Sequence, residues 1–261
     1  MRIAFFTQDE AIFLAPMLDQ VLSACREHEC RVDVFRRPGA GTVRDLWWAA
    51  RTFGIVYTIR TGAEYLCCRL LDAAERLGVL RPRRVSSVGA AARRHGVPVV
   101  RWAGSPNAPE VVAALRAFAP DLLVSIACPR VLDQTVLAVP RVACLNVHGG
   151  RLPAYRGMHS AFWQLYRGEA TGATTVHVMA PEVDAGPIVS EEPWTVDPAD
   201  TWHDVMRKSR AAGVPALIRA LAMAQNGGLD LKPNDPRQGA RFGKPSREHV
   251  RRLRARGVRL R

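Results

Sequence analysis

Two stretches decide the fold: Asp121-Leu-Leu-Val-Ser-Ile-Ala127 and Val142-Ala-Cys-Leu-Asn-Val-His-Gly-Gly150. Nearly every side chain in 121–127 and 142–147 is apolar. A strand with one wet face alternates apolar and polar residues. A continuous run suits a strand covered on both faces, as in a parallel sheet. Working outward, Pro109–Phe118 has helical spacing, with Pro109 opening it and Pro120 following it. Upstream, 86–95 reads as a helix and Gly96-Val-Pro opens a strand over 97–102. At the start, 3–7 and 31–35 read as strands flanking a helix over 12–26. Downstream, 174–179 and Ile188–Thr195 read as strands joined by Pro181-Glu-Val-Asp-Ala-Gly-Pro187. A long helix over 201–225 ends at Asn226-Gly227-Gly228. This alternation predicts an α/β fold, a Rossmann-like, doubly wound, mostly parallel sheet.

Residues 40–85 interrupt the alternation. Apolar and aromatic residues over 45–59 and an amphipathic run over 64–77 predict a helical hairpin inserted between two βα units. It reads as extra core on the sheet or as a lid, a dimer face or a membrane-surface contact. The pair Trp47-Trp48, flanked by Arg44 and Arg51, carries the interface readings. Packing or a homodimer face is favoured, because clustered aromatics usually mark core or a partner.

The chain has 261 residues, is 48% hydrophobic and carries a formal charge of +13. That excludes a disordered chain and a disulfide mini-protein. No uninterrupted run of about 18 apolar residues occurs, which predicts no membrane span. The opening Met1-Arg-Ile-Ala-Phe-Phe lacks the layout of a secretory signal, which predicts a cytoplasmic protein. Of the charge, residues 232–261 hold eleven Lys/Arg against two acids, a net of +9, leaving +4 for residues 1–231. The expected organisation is a catalytic domain over 1–230 and a basic C-terminal extension over 231–261. A basic tail suits nucleic acid, an anionic surface or an anionic ligand, or is simply solvated. The six cysteines form no CxxC pair and no zinc spacing, so no metal is expected. Cys67-Cys68 read as small core residues.

The first βα turn, Thr7-Gln-Asp-Glu-Ala11, has no GxGxxG glycines and carries two acids, which disfavours a dinucleotide. The chemistry concentrates instead in 144–186. Asn146 and His148 share one face of a strand. They stand at its carboxyl end, where open α/β sheets place their sites. Gly149 and Gly150 suit close approach of a ligand. Asp184 lies in the 181–187 loop. An amide, an imidazole and a carboxylate together can run acyl transfer, stabilising an oxyanion and moving a proton. No nucleophilic Ser or Cys sits beside them, which favours direct attack by an amine. Taken alone, the same residues also suit a hydrogen-bonded strand histidine and a turn-forming asparagine.

Asn146-Val-His148, then Leu152-Pro-Ala-Tyr-Arg-Gly157, then Asp184 at 36 residues after the histidine, resembles the 10-formyltetrahydrofolate-dependent formyltransferases. That family includes glycinamide ribonucleotide, methionyl-tRNA and sugar-amine formyltransferases, and the likeness covers roughly 85–225. The resemblance implies the formyltransferase fold, 10-formyltetrahydrofolate as co-substrate and a small primary-amine acceptor, such as an amino sugar or another biosynthetic amine, anionic acceptors included. It implies that Asn146 and His148 stabilise the oxyanion and that Asp184 holds His148 charged. It implies a pterin pocket lined by Arg130, Val131 and Leu132, covered by Met179, Ala180, Pro181, Glu182 and Val183. His177 matches a family histidine. Many relatives have Ser-Leu-Leu-Pro where this chain has Gly150-Arg151-Leu152-Pro153, and Arg151 suits an anionic acceptor or solvent. The phosphate-holding glycine loop of the glycinamide enzyme is missing at 7–11. About 35 residues after the last helix are too few for the tRNA-binding barrel of the methionyl-tRNA enzymes. A formyltetrahydrofolate hydrolase or methionyl-tRNA formyltransferase stands as the alternative. A non-catalytic nucleic-acid binder is the alternative of another class, and it leaves the meeting of Asn146, His148 and Asp184 without a reason.

Overall fold

The computed structural model describes residues 1–36 and 42–261. Residues 40 and 41 of the expected insert therefore lie outside the described residues. The chain runs β1 (Arg2–Gln8), α1 (Leu14–Ala24), β2 (Glu29–Phe35), α2 (Val43–Phe53), α3 (Ile55–Arg76), α4 (Val88–Arg94) and β3 (Val99–Trp102). It continues through α5 (Pro109–Phe118), β4 (Leu122–Ile126), α6 (Gln134–Leu137), β5 (Ala143–His148), β6 (Tyr155–Gly157) and α7 (Ser160–Arg167). Then come β7 (Thr171–Val178), β8 (Ile188–Thr195), α8 (Trp202–Gln225), β9 (Ala240–Phe242) and α9 (Arg247–Ala255).

Among the described residues the main sheet has seven strands in the order β3-β2-β1-β4-β5-β7-β8. The pairs from β3 to β5 are parallel, and β5–β7 and β7–β8 are antiparallel. This is the expected doubly wound, mostly parallel sheet, with chain order reversing between β1 and β4. Ligands of such sheets bind beyond the carboxyl ends of the strands near that reversal. The continuous apolar runs are explained by burial on both faces. Leu122, Val124 and Leu145 pack under α1 and α8, while Leu123 and Cys144 pack under α5 and α6.

Local chemistry sets the ends of the flanking helices. Pro109 opens α5, and Ala119 in the left-handed region closes it before Pro120. Thr201 and Asp204 form a reciprocal cap on α8. The Glu10 carboxylate accepts the backbone N–H groups of Ile12, Phe13 and Leu14 at 2.8, 2.9 and 2.7 Å. The helix terminus that binds phosphate in dinucleotide folds is here filled by the protein's own anion.

The insert is helical but divides elsewhere than expected. Gly54, with φ of +97°, breaks it between α2 and α3, a backbone conformation that glycine adopts without steric cost. As core the insert contributes one end of α2: Phe53 is buried in a cluster with Phe162, Trp163 and Trp202, and Trp48 and Tyr57 pack against it. No residue of α3 is buried. Its Trp48, Phe53, Tyr57 and Tyr65 face a cavity, while Trp47 is 58% exposed under the Arg51 guanidinium. Cys67 is exposed and Cys68 half-buried on α3, so they are not core residues.

The basic C-terminal residues are folded. β9 pairs in parallel with β6. Val250, Leu253 and Leu260 are buried in a cluster with Phe162, Trp163 and Trp202. Trp163 stacks on Phe242 and donates its indole N–H to the Gly243 carbonyl at 3.0 Å. Arg261 pairs with Glu64 on α3, which ties this segment to the insert.

Candidate active site

β5 carries Asn146 and His148 to the carboxyl edge of the sheet, and the loop after β7 brings Asp184 over them. Asp184 takes the left-handed conformation, φ +54°. Gly186 lets that loop close, since a Cβ there would stand 1.9 Å from the Val178 carbonyl oxygen. The Gly157 N–H donates to Asp184 Oδ2 at 2.7 Å. His148 Nδ1 stands 3.5 Å from Asp184 Oδ2, and His177 Nε2 stands 3.5 Å from Oδ1. His177 therefore belongs to the constellation.

Hydrogen bonds fix the ring states. His177 Nδ1–H donates to the Val178 carbonyl at 2.9 Å. Its Nε2 lies 3.1 Å from the Asn146 amide nitrogen, beside the Asp184 carboxylate. His148 Nε2–H donates to the Tyr155 carbonyl at 2.6 Å, which leaves Nδ1 facing Asp184 as the basic atom.

Burial lowers the pKa of His148, and the opposing pull of Asp184 does not fully offset it. The expectation that Asp184 holds His148 charged is thus corrected: burial dominates and favours neutral imidazole. For Asp184, burial alone would raise the pKa. The contacts with His177, His148 and the Gly157 N–H outweigh it and set the carboxyl at about 2, so Asp184 is an anion at neutral pH.

These groups border a cavity of about 1050 Å³ beyond the ends of β1, β4 and β5. Arg130, Val131, Met179, Ala180 and Val183 line it. Leu132 does not: it is 2% exposed and packs with Phe6, Phe35 and Val136. Pro181 and Glu182 also fall outside the lining, and Glu182 turns to Arg156 at 2.7 Å. Arg151 points to Glu191, 3.8 Å away. Gly149 and Gly150 make room for protein, not ligand. A Cβ on Gly149 would meet Ser209 Oγ at 2.8 Å, and one on Gly150 would meet Ser160 Cβ at 2.5 Å.

The rest of the wall is not assigned by the sequence motifs: Phe13, Trp48, Tyr65, Arg210, and the C-terminal Arg241, Phe242 and Lys244. Only the fold brings these distant segments together; the Trp47-Trp48 pair and the basic run over 232–261 are their visible traces in the sequence. Among the described residues no group of three or more His, Cys, Asp or Glu is placed to hold a metal.

The family model for formyl transferases matches residues 78–221, more than half of the chain. The chain belongs to the formyl transferase family. A methionyl-tRNA formyltransferase of Synechococcus sp. (strain JA-2-3B'a(2-13)) is 33% identical over 144 residues, covering 55% of this chain and 45% of the relative. The chain thus spans about half the length of the curated relatives it matches. Among solved structures, glycinamide ribonucleotide transformylase 1 from Symbiobacterium toebii aligns with a TM-score of 0.59 at 20% identity, over 90% of this chain and 94% of that one. An N-formyltransferase from Helicobacter canadensis, solved with folinic acid and dTDP-3-aminofucose, aligns with a TM-score of 0.58 at 13% identity, over 97% and 79%. These likenesses establish a shared formyl transferase fold. No helix among the described residues is long and apolar enough to cross a membrane.

Proposed function

We propose that this protein transfers the formyl group of 10-formyltetrahydrofolate directly to the primary amine of a small acceptor. The observation that carries this reading is the meeting of Asn146, His148 and Asp184 at one wall of a cavity roomy enough for a pterin and an acceptor. The cavity also suits the folate chemically. Val131, Met179, Ala180 and Val183 offer apolar walls for a flat heterocycle. Beyond Val178, where β7 ends, backbone groups of 180–183 are outside the sheet ladder. When bound there, the folate supplies the electrophilic formyl carbon.

The chain's residues then have separate tasks. The Asn146 amide donates to the charge that develops on the formyl oxygen. His148, neutral at rest, takes the proton released by the attacking amine at Nδ1 and returns it to the folate nitrogen, whose bond to the formyl carbon breaks as tetrahydrofolate leaves. Asp184, 3.5 Å away, stabilises the imidazolium as it forms, by an attraction strengthened in a buried site. His177, through Asn146 and Asp184, is a positioning residue.

An amino sugar is the acceptor class to try first, because that is what the Helicobacter canadensis neighbour was solved with. A second reading, methionyl-tRNA, rests on the curated relatives. Purified protein given 10-formyltetrahydrofolate should release tetrahydrofolate with an amine in excess. Release that needs no amine makes water the acceptor, and release only with methionyl-tRNA selects the second reading. No release with any of these overturns formyl transfer.

A further inference from the structure

Arg210 lies on α8 and lines the cavity. Its Nε is shut off from solvent and has no hydrogen-bond partner, and the guanidinium feels the Glu10 carboxylate only through space. A shielded guanidinium donor left unmatched costs free energy, so its presence in a binding cavity points to a ligand that completes it. The other cavity cations differ. Arg130, Arg241 and Lys244 are exposed to water, and Lys244 also lies over the Trp48 ring.

Glu10 and Asp184, which line the same cavity, are committed elsewhere. Glu10 accepts three backbone N–H groups at the start of α1 and the Tyr65 hydroxyl at 2.7 Å. Asp184 is held by Gly157 and the two histidines. The turn of α8 bearing Arg210 is stitched to the catalytic strand end. Ser209 Oγ–H donates to the Gly149 carbonyl at 3.2 Å, and Thr174 Oγ1–H donates to the Ser209 carbonyl at 2.7 Å.

We propose that Arg210 anchors an anionic group, carboxylate or phosphate, carried by the acceptor, so that the acceptor's amine is presented to Asn146, His148 and Asp184. A guanidinium fork fits either anion bidentately, which fixes orientation as well as charge. This inference rests on the formyl-transfer reading of the same cavity.

The test uses the full chain and Arg210→Met. The first readout needs no turnover: thermal shift with inorganic phosphate and with acetate. Wild-type Tm should rise saturably with one of them, phosphate or acetate naming the anion. Arg210→Met should abolish the rise without lowering Tm by several degrees, since the buried Nε–H had no hydrogen-bond partner to lose. The second readout compares kcat/KM for ethanolamine against O-phosphoethanolamine and for glycinamide against glycine. Wild type should favour the anionic member at least about tenfold, and Arg210→Met should bring the ratio near one. The inference is overturned if neither anion shifts wild type, if the variant keeps the shift or the preference, or if the variant alone loses several degrees of Tm. Anion shifts that persist while wild type formylates no amine uphold the anion site and sink formyl transfer instead.

Discussion

His148 stands between opposing influences: burial holds it neutral, and Asp184 rewards it for taking a proton. His148→Ala and Asp184→Ala should each lower tetrahydrofolate release by at least about two orders of magnitude, with unchanged far-UV circular dichroism. Acid should weaken the fold through a different histidine. His203 is 2% exposed, both its ring nitrogens lack hydrogen bonds, and burial lowers its pKa from 6.5 to about 4. With the folded pKa depressed, the unfolded chain binds the extra proton between those values. Stability therefore falls as pH drops from 6.5 to 4. Tm measured across that window should fall less steeply for His203→Leu than for wild type. Asp184 contributes fully above its ordinary 3.8 and loses that contribution as pH falls toward 2. At this scale the sequence revealed residue types and their spacing. It did not reveal protonation, because the environment of His148 is built by Tyr155, Asp184 and His177 from three separate segments.

Elements differ in how openly they announce themselves. β4 and β5 were legible because burial on both faces demands apolar side chains without interruption. α5 and α8 were legible because prolines, caps and glycines mark their ends. The three-residue strands β6 and β9 were not. Their pairing of Tyr155 with Ala240 and Gly157 with Phe242 depends on contact across more than eighty residues, and no local pattern encodes it. Leu132 misled because a family position predicts a neighbourhood, while packing under β1 and β4 decides where a leucine side chain turns. The loop after β7 invites a sharp test. In Gly186→Ala the new methyl would meet the Val178 carbonyl oxygen, forcing the segment with Asp184 outward. That should cost about 2 kcal/mol or more of stability, with turnover falling alongside Tm.

For the whole molecule, the +13 charge first suggested a nucleic-acid partner. The structure ties Arg261 to Glu64 and leaves Arg251 and Arg252 in exposed pairs with Glu248 along α9, while Arg241 and Lys244 reach the cavity. A chain cut after residue 239 should lose Tm, because Val250, Leu253 and Leu260 leave their cluster, and should lose detectable folate binding by calorimetry. The parallel pairing of β6 with β9 also orders events during synthesis. Domains begin to form while the ribosome is still extending the chain. All seven main strands have emerged once residue 195 is clear, whereas β9 is still to be made. The scaffold can consequently assemble on the nascent chain while its binding chamber still lacks a wall. A polypeptide stalled in that interval would resemble the finished protein in secondary structure and be empty of function.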